Sequence, residues 1–159
     1  MRKICIVIIS IILMLLAGED QASAQLSRLH FKGYKITKIA PTSFRSVRGT
    51  AEFYCLNDSL RFTMSNIRGT VYKKGVPFVS GSADPVTVPA GSSTVTVNGK
   101  ASLCDGIGLW DVLQCIAFKA EDYSIDVSMT IVNSKGIRRD YSKRGMSVSA
   151  LLNNIRKKK

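Results

Sequence analysis

From Val47 onward the chain alternates between apolar and polar residues. Val47, Gly49, Ala51, Phe53 and Cys55 take one parity, and Arg48, Thr50, Glu52 and Tyr54 take the other. Successive side chains of a strand point to opposite faces, so this segment predicts a strand with one buried and one solvated face. Leu60, Phe62 and Met64 begin a second strand, but Ile67 and Val71 fall on the opposite parity. One inserted residue moves every later side chain to the other face, unless a bulge absorbs it. Ser65-Asn66 stands where such a bulge is needed, so the slip predicts a bent strand and not an interrupted one. The turn-forming run Leu56-Asn57-Asp58-Ser59 is expected to close a hairpin between these two strands.

Further along, Lys73-Lys74-Gly75 reads as a turn and Val76 to Gly81 as a returning strand, with pairing expected to break at Asp84-Pro85. Thr94 to Val97 and the series Ile125, Val127, Met129 and Ile131 repeat the alternation. Asn133-Ser134-Lys135-Gly136 has the chemistry of a turn joining two antiparallel strands. One segment departs from period two: Ile107, Leu109/Trp110, Leu113 and Ile116-Ala117 recur every three to four residues, which predicts a short amphipathic helix lying across the sheets. Trp110 at that spacing is expected to anchor the core and not to stack on a ligand. Val148, Leu151, Leu152 and Ile155 suggest a final strand passing into a helical turn. The expected fold is an all-β sandwich carrying one short α-helix.

The N-terminal residues follow a different rule. Arg2 and Lys3 precede an apolar run from Ile4 to Ala17, and Ala22-Ser23-Ala24 supplies small residues of the kind a signal peptidase reads. Residues 1–24 are therefore expected to be a cleaved signal peptide. Glu19 stands where a lipidated cysteine would have to be, which argues against a lipoprotein. The expected domains are the signal peptide, a single β-sandwich over residues 25–153, and a basic disordered tail over 154–159. The expected location is the periplasm or outside the cell, with no transmembrane segment after cleavage.

Charge sharpens this picture. The formal net charge is +12, and losing Arg2, Lys3, Glu19 and Asp20 removes two charges of each sign and leaves it unchanged. One reading of such an excess is a solvated surface that keeps the protein in solution; the other, for an exported protein, is attraction to lipopolysaccharide, phospholipid headgroups or other anionic envelope components rather than to nucleic acid. The densest basic stretch is Arg138-Arg139-Asp140-Tyr141-Ser142-Lys143-Arg144. Arg138, Arg139, Lys143 and Arg144 are candidate contacts for anionic surfaces, because arginine forks pair well with phosphate or sulfate. The favoured reading of the stretch is nevertheless an edge strand whose charges prevent edge-to-edge pairing, since such a strand needs these residues regardless. In an extended strand, Arg138 and Arg144 fall on one face and Arg139 and Lys143 on the other.

Cys55, Cys104 and Cys115 remain after cleavage. An oxidising compartment permits one disulfide with three possible pairings. Cys104–Cys115, joined by the shortest connection, is the expected pair, and the absence of a CxxC spacing argues against a redox centre or zinc knuckle.

Leu60-x-Phe-x-Met64, Gly69-Thr-Val-Tyr72, Lys-Lys-Gly75, Gly81 and Val88-Pro-Ala-Gly-Ser-Ser-Thr-Val-Thr-Val97 form a series of strand and turn motifs. Together they resemble the group-2 late-embryogenesis-abundant family, whose domain is also called the water-stress and hypersensitive-response (WHy) domain, and the resemblance extends from about Phe31 to Leu152. Where the family usually carries Asn-Pro after the first long strand, this chain has Asn57-Asp58. The resemblance implies a two-sheet, fibronectin-III-like or immunoglobulin-like sandwich with one helix and a non-enzymatic role in binding or stress protection. It implies no catalytic residues.

The inventory of reactive side chains agrees with that implication. His30 is the only histidine, so a two-histidine metal site cannot form within one chain, and no partner for acid–base chemistry lies near it in sequence. No phosphate-binding glycine loop or EF-hand spacing is present. Asp105 and Asp111, at the start of the expected helix, fit capping roles. No cofactor, metal or catalytic residue is expected. The leading functional expectation is a non-catalytic exported binding or envelope-protecting protein, and the alternative is a module of a glycan- or envelope-processing enzyme system.

Overall fold

The computed structural model describes residues 28–108, 111, 119–150 and 153. Eight strands account for most of them: β1 Leu29–Pro41, β2 Ser46–Asn57, β3 Phe62–Lys73, β4 Val76–Ala83, β5 Val86–Val88, β6 Gly91–Leu103, β7 Tyr123–Asn133 and β8 Arg138–Ser147. The fold is all-β, as the alternation predicts. Every strand belongs to one antiparallel sheet of order β1-β2-β6-β4-β3-β7-β8, with β5 beside β3, and the sheet curls into a sandwich-like half-barrel.

The curl depends on β4. Its residues Val79 to Ala83 pair with Leu103 to Gly99 of β6, and residues Ile67 to Val71 of β3 pair with the same segment on its other side. β4 therefore joins two halves, one made of β1, β2 and β6 and the other of β3, β5, β7 and β8. The join ends at Asp84-Pro85, where proline has no N–H to give to a ladder. Beyond it β5 stays with β3, pairing Phe62 with Val88, while β6 continues with β2 alone. The two halves close over one core that includes Phe53, Phe62, Met64, Val71, Val79, Val88 and Ile125, each no more than 2% exposed.

The slip in β3 is a bulge, as expected. Ser65 pairs with Thr130 and Arg68 with Ser128, so β3 spends one residue more than β7 over this interval. Asn66 absorbs it in the left-handed region at φ 50°, a conformation that asparagine tolerates better than most residues. Met64 and Ile67 are consequently both buried. On the outer face the Asn66 amide lies 3.5 Å from Thr130 Oγ1, which donates to Asp140 Oδ1 at 2.9 Å.

The turn Lys73-Lys74-Gly75-Val76 joins β3 to β4, with positive φ at both Lys74 and Gly75. This is the type I′ geometry favoured in tight hairpins. Asn133 closes the β7–β8 turn by accepting from the amides of Lys135 and Ile137.

One expectation is corrected. β2 and β3 do not form a hairpin: β2 pairs with β1 and β6, and β3 with β4, β5 and β7. Residues 56–59 instead carry the chain from one half of the sheet to the other. Asn57, 2% exposed, pins this crossing. Its amide donates to the carbonyls of Leu60 and Pro89, and its Oδ1 accepts from the Ser59 amide and hydroxyl.

β8 ends at Ser147 and the chain turns helical at Val148 to Ala150, with Val148 buried. Most of the expected helix around Trp110 and Leu113 lies outside the described residues, as do the signal peptide and the basic tail. Among the described residues, no helix is long and apolar enough to cross a membrane.

Candidate functional site: a basic groove on the outer face

The outer face of the half formed by β1, β2, β6 and β4 carries the most distinctive surface. Paired residues in adjacent strands share a face, and the register sets Ala40 beside Arg48, Arg48 beside Lys100, and Lys100 beside Ser82. A second row runs from Lys38 through Thr50 to Asn98. These residues line an open cavity of about 370 Å³, together with Thr42, Asp84 and the backbone of Gly49 and Gly99. Thr50 Oγ1 donates to Asn98 Oδ1 at 2.8 Å, and the Asp84 amide donates to the Asn98 carbonyl at 2.9 Å.

The chemistry of this groove is narrow. Its lining holds Lys38, Arg48 and Lys100 against one carboxylate, Asp84, and contains no aromatic or large aliphatic side chain. It therefore lacks the apolar walls that bury an uncharged organic ligand. Positive charge and the hydroxyls of Thr42, Thr50 and Ser82 suit oxyanions, which accept bonds from guanidinium, ammonium and hydroxyl donors.

A braced loop borders the groove. Between Thr42 and Ser46, the Thr42 amide donates to the Ser46 carbonyl, and the Ser46 hydroxyl contacts both the Thr42 and Ser43 hydroxyls at 2.7 and 2.8 Å. Arg45 folds away from the tip and donates to the carbonyls of Cys104 and Ile107, each at 2.7 Å. Phe44, at the tip, is fully exposed.

The predicted basic stretch lies on β8, which is an edge strand. The structure does not gather its four bases on one face. Arg139 and Lys143 pair with Ile131 and Val127, so they share the core-facing side with Tyr141, which packs against the core. Arg138 faces outward beside Val132. A second bulge follows, since Val127 pairs with Lys143 but Ile125 pairs with Met146. Gly145 occupies it at φ 66° and donates its amide to Asp126 Oδ1 at 2.8 Å. Arg144 is close enough to oppose the effect of Asp126 on Tyr72, whose phenol is raised above its usual pKa first by the Asp126 charge. Acids thus intersperse with the outward bases, as an edge strand guarding against mispairing requires.

Cys55 and Cys104 carry free thiols, and Cys115 lies outside the described residues. The Cys104 thiol is pushed above its ordinary pKa, first by burial, which keeps it protonated and weakly nucleophilic at neutral pH. His30 has a partner that its sequence neighbourhood does not reveal: Nε2 lies 2.6 Å from Asp58 Oδ2, with both side chains about half exposed. The adjacent Ser59 hydroxyl bonds to Asn57 Oδ1 and the Leu60 carbonyl. Among the described residues, no three of His, Cys, Asp and Glu gather as a metal site would need.

No family model and no curated protein matches the chain. Among solved structures, a protein from Archaeoglobus fulgidus is 18% identical with a TM-score of 0.42, over 72% of this chain and 96% of that one. A β-glucuronidase from glycoside hydrolase family 2 is 18% identical with a TM-score of 0.34, over 75% of this chain and 13% of that one. At these scores neither likeness decides a function.

Proposed function

We propose that this protein is a non-catalytic, exported binding module that contacts anionic components of the cell envelope and shields the surface it covers. The observation that carries the proposal is the gathering of Lys38, Arg48 and Lys100 from three strands around an open groove lined by one carboxylate. The overall charge of +12 supports it by drawing the protein toward anionic surfaces before any specific contact forms. The resemblance to the group-2 late-embryogenesis-abundant family points the same way, toward binding or stress protection without catalysis.

The groove provides the local site, and Arg138, Arg139, Lys143 and Arg144 on β8 add long-range attraction. Contacts of this kind are screened over about 10 Å at moderate salt. Binding to lipopolysaccharide or to a soluble sulfated polysaccharide is expected to weaken steeply as salt rises. Changing Lys38, Arg48 and Lys100 together to Glu is expected to weaken it by about tenfold or more at low salt, because like charge at a contact surface costs several kcal/mol. A variant changing the four β8 bases to Glu is expected to lose less. Co-sedimentation across a salt series measures both, and equal binding by wild type and the groove variant sinks the proposal.

A further inference from the structure

We propose that the Thr42–Ser46 loop is a membrane-docking tip, with Phe44 entering an anionic phospholipid bilayer while Lys38, Arg48 and Lys100 lie against headgroup phosphates. This rests on the groove reading above and names the surface it meets. Three observations converge on it.

The first is the presentation of Phe44. Its relative exposure is 105%, the highest of the exposed large hydrophobic residues among those described. A phenyl ring in water is unfavourable, and a loop free to rearrange would lay it against the protein. This loop is held in place. The Ser46 carbonyl accepts from the amides of both Thr42 and Ser43, and the Arg45 amide donates to Ser43 Oγ at 3.1 Å. Arg45 also ties the loop to the segment after β6 through the Cys104 and Ile107 carbonyls, while its own carbonyl accepts from the Leu103 amide at 2.8 Å. The ring is therefore presented in advance, with little conformational entropy left to lose on binding.

The second is its setting. Thr42 and Arg48, on either side of the loop, both line the basic groove. An aromatic at the tip with bases behind it is the arrangement that interfacial anchors use. The ring reaches the acyl boundary, and lysine and arginine remain with the phosphates. Each base near an anionic leaflet adds attraction.

The third is the size of the apolar feature. Within the loop Phe44 stands between Ser43 and Arg45, and no other residue from Thr42 to Ser46 is apolar. A protein interface normally surrounds its central aromatic with a close-packed ring of contacts, which this tip does not offer. A fluid bilayer needs no such complementarity.

The test uses protein recovered after export, with wild type, Phe44→Ser, Phe44→Leu and the Lys38/Arg48/Lys100→Glu triple variant. Each is co-sedimented with vesicles of neutral phosphatidylcholine and with vesicles containing phosphatidylglycerol. Each is also titrated against a soluble sulfated polysaccharide. Wild type is expected to bind the anionic vesicles and not the neutral ones. Phe44→Ser should bind the anionic vesicles about tenfold more weakly, retain polysaccharide binding, and be matched to wild type again by Phe44→Leu.

Equal vesicle binding by Phe44→Ser and wild type overturns the insertion and leaves the groove reading intact. The same holds if wild type binds the polysaccharide but no vesicle. Loss of both ligands by wild type overturns both readings. Sedimentation velocity supplies the last arm: a wild-type dimer that Phe44→Ser converts to monomer makes the tip a contact between copies and also overturns the proposal.

Discussion

Deleting Thr63 is expected to abolish folding, whereas deleting Asn66, three residues on in the same strand, should leave the protein folded. The difference follows from parity. Phe62 and Met64 are 1% and 2% exposed and flank Thr63, which faces outward and contacts Thr87 Oγ1 at 3.0 Å. Without Thr63 the two apolar residues become neighbours, and one must turn to solvent. Losing such a side chain from a closed core costs about 2–5 kcal/mol through lost burial and the cavity left behind. The alternative, shifting the register of everything before Met64, breaks the pairing with both β5 and β7.

Asn66 is the residue that β3 has in excess. Removing it sets Ile67 directly opposite Met129, which already faces the core, and restores a regular ladder with β7. On the other side Asp84-Pro85, which lies between β4 and β5 and is unpaired with β3, takes up the one-residue offset. The losses are the bend and the contact with Thr130, about 1 kcal/mol by the usual worth of a hydrogen bond. Circular dichroism and thermal melting of the two deletions decide the matter. A folded Thr63 deletion, or an unfolded Asn66 deletion, shows that the bulge has been misread.

Phe53→Ala should be the most damaging single substitution in the half formed by β1, β2 and β6. Among the described residues Phe53 is, with Phe62, the largest fully buried side chain, at 0% exposure, and its ring stacks against Tyr34 with 6.4 Å between centroids. It lies between β1 and β6, paired with Tyr34 and Val95, so the space it vacates has sheet on both sides and closes poorly. A loss of about 3–5 kcal/mol is expected. In a domain this size that lowers the melting temperature by roughly 10 °C or more. Chemical denaturation measures it, and a change below about 1 kcal/mol would mean that the core refills the site, as happens where neighbours can collapse.

These two expectations draw on the part of the fold that is legible in sequence. Alternation is local, so β2, β3, β6 and β7 can be read from their own residues, and even the bulge shows as a change of parity. β1 cannot. Two irregularities, between Phe31 and Gly33 and between Ile36 and Lys38, break its alternation twice within thirteen residues, leaving no pattern of useful length.

The turn at Asn57-Asp58-Ser59 fails for another reason. Its chemistry suits a hairpin or a crossing equally, and the choice is made by Asn57 reaching Pro89, thirty-two residues away. The groove is less legible still. Lys38, Arg48 and Lys100 are unremarkable singly, and only the order β1-β2-β6 brings them side by side. The β8 bases were conspicuous because they are adjacent in sequence, and in a strand adjacency is what sends side chains to opposite faces.

The shared position of β4 bears on how the molecule comes apart. In a sandwich of two separate sheets only side chains hold the layers, and one layer can lift from the other with every ladder intact. Here the halves cannot part without breaking the β4–β6 pairing from Val79–Leu103 to Ala83–Gly99. Opening the core and unzipping the sheet are therefore one event, and the domain behaves as a single cooperative unit. Native-state hydrogen exchange would register this as amides shared by β4 and β6 that exchange only at the free energy of global unfolding, while the edges β1 and β8 exchange sooner by fraying. Exchange at the β4–β6 junction as fast as at those edges would mean that the halves separate first.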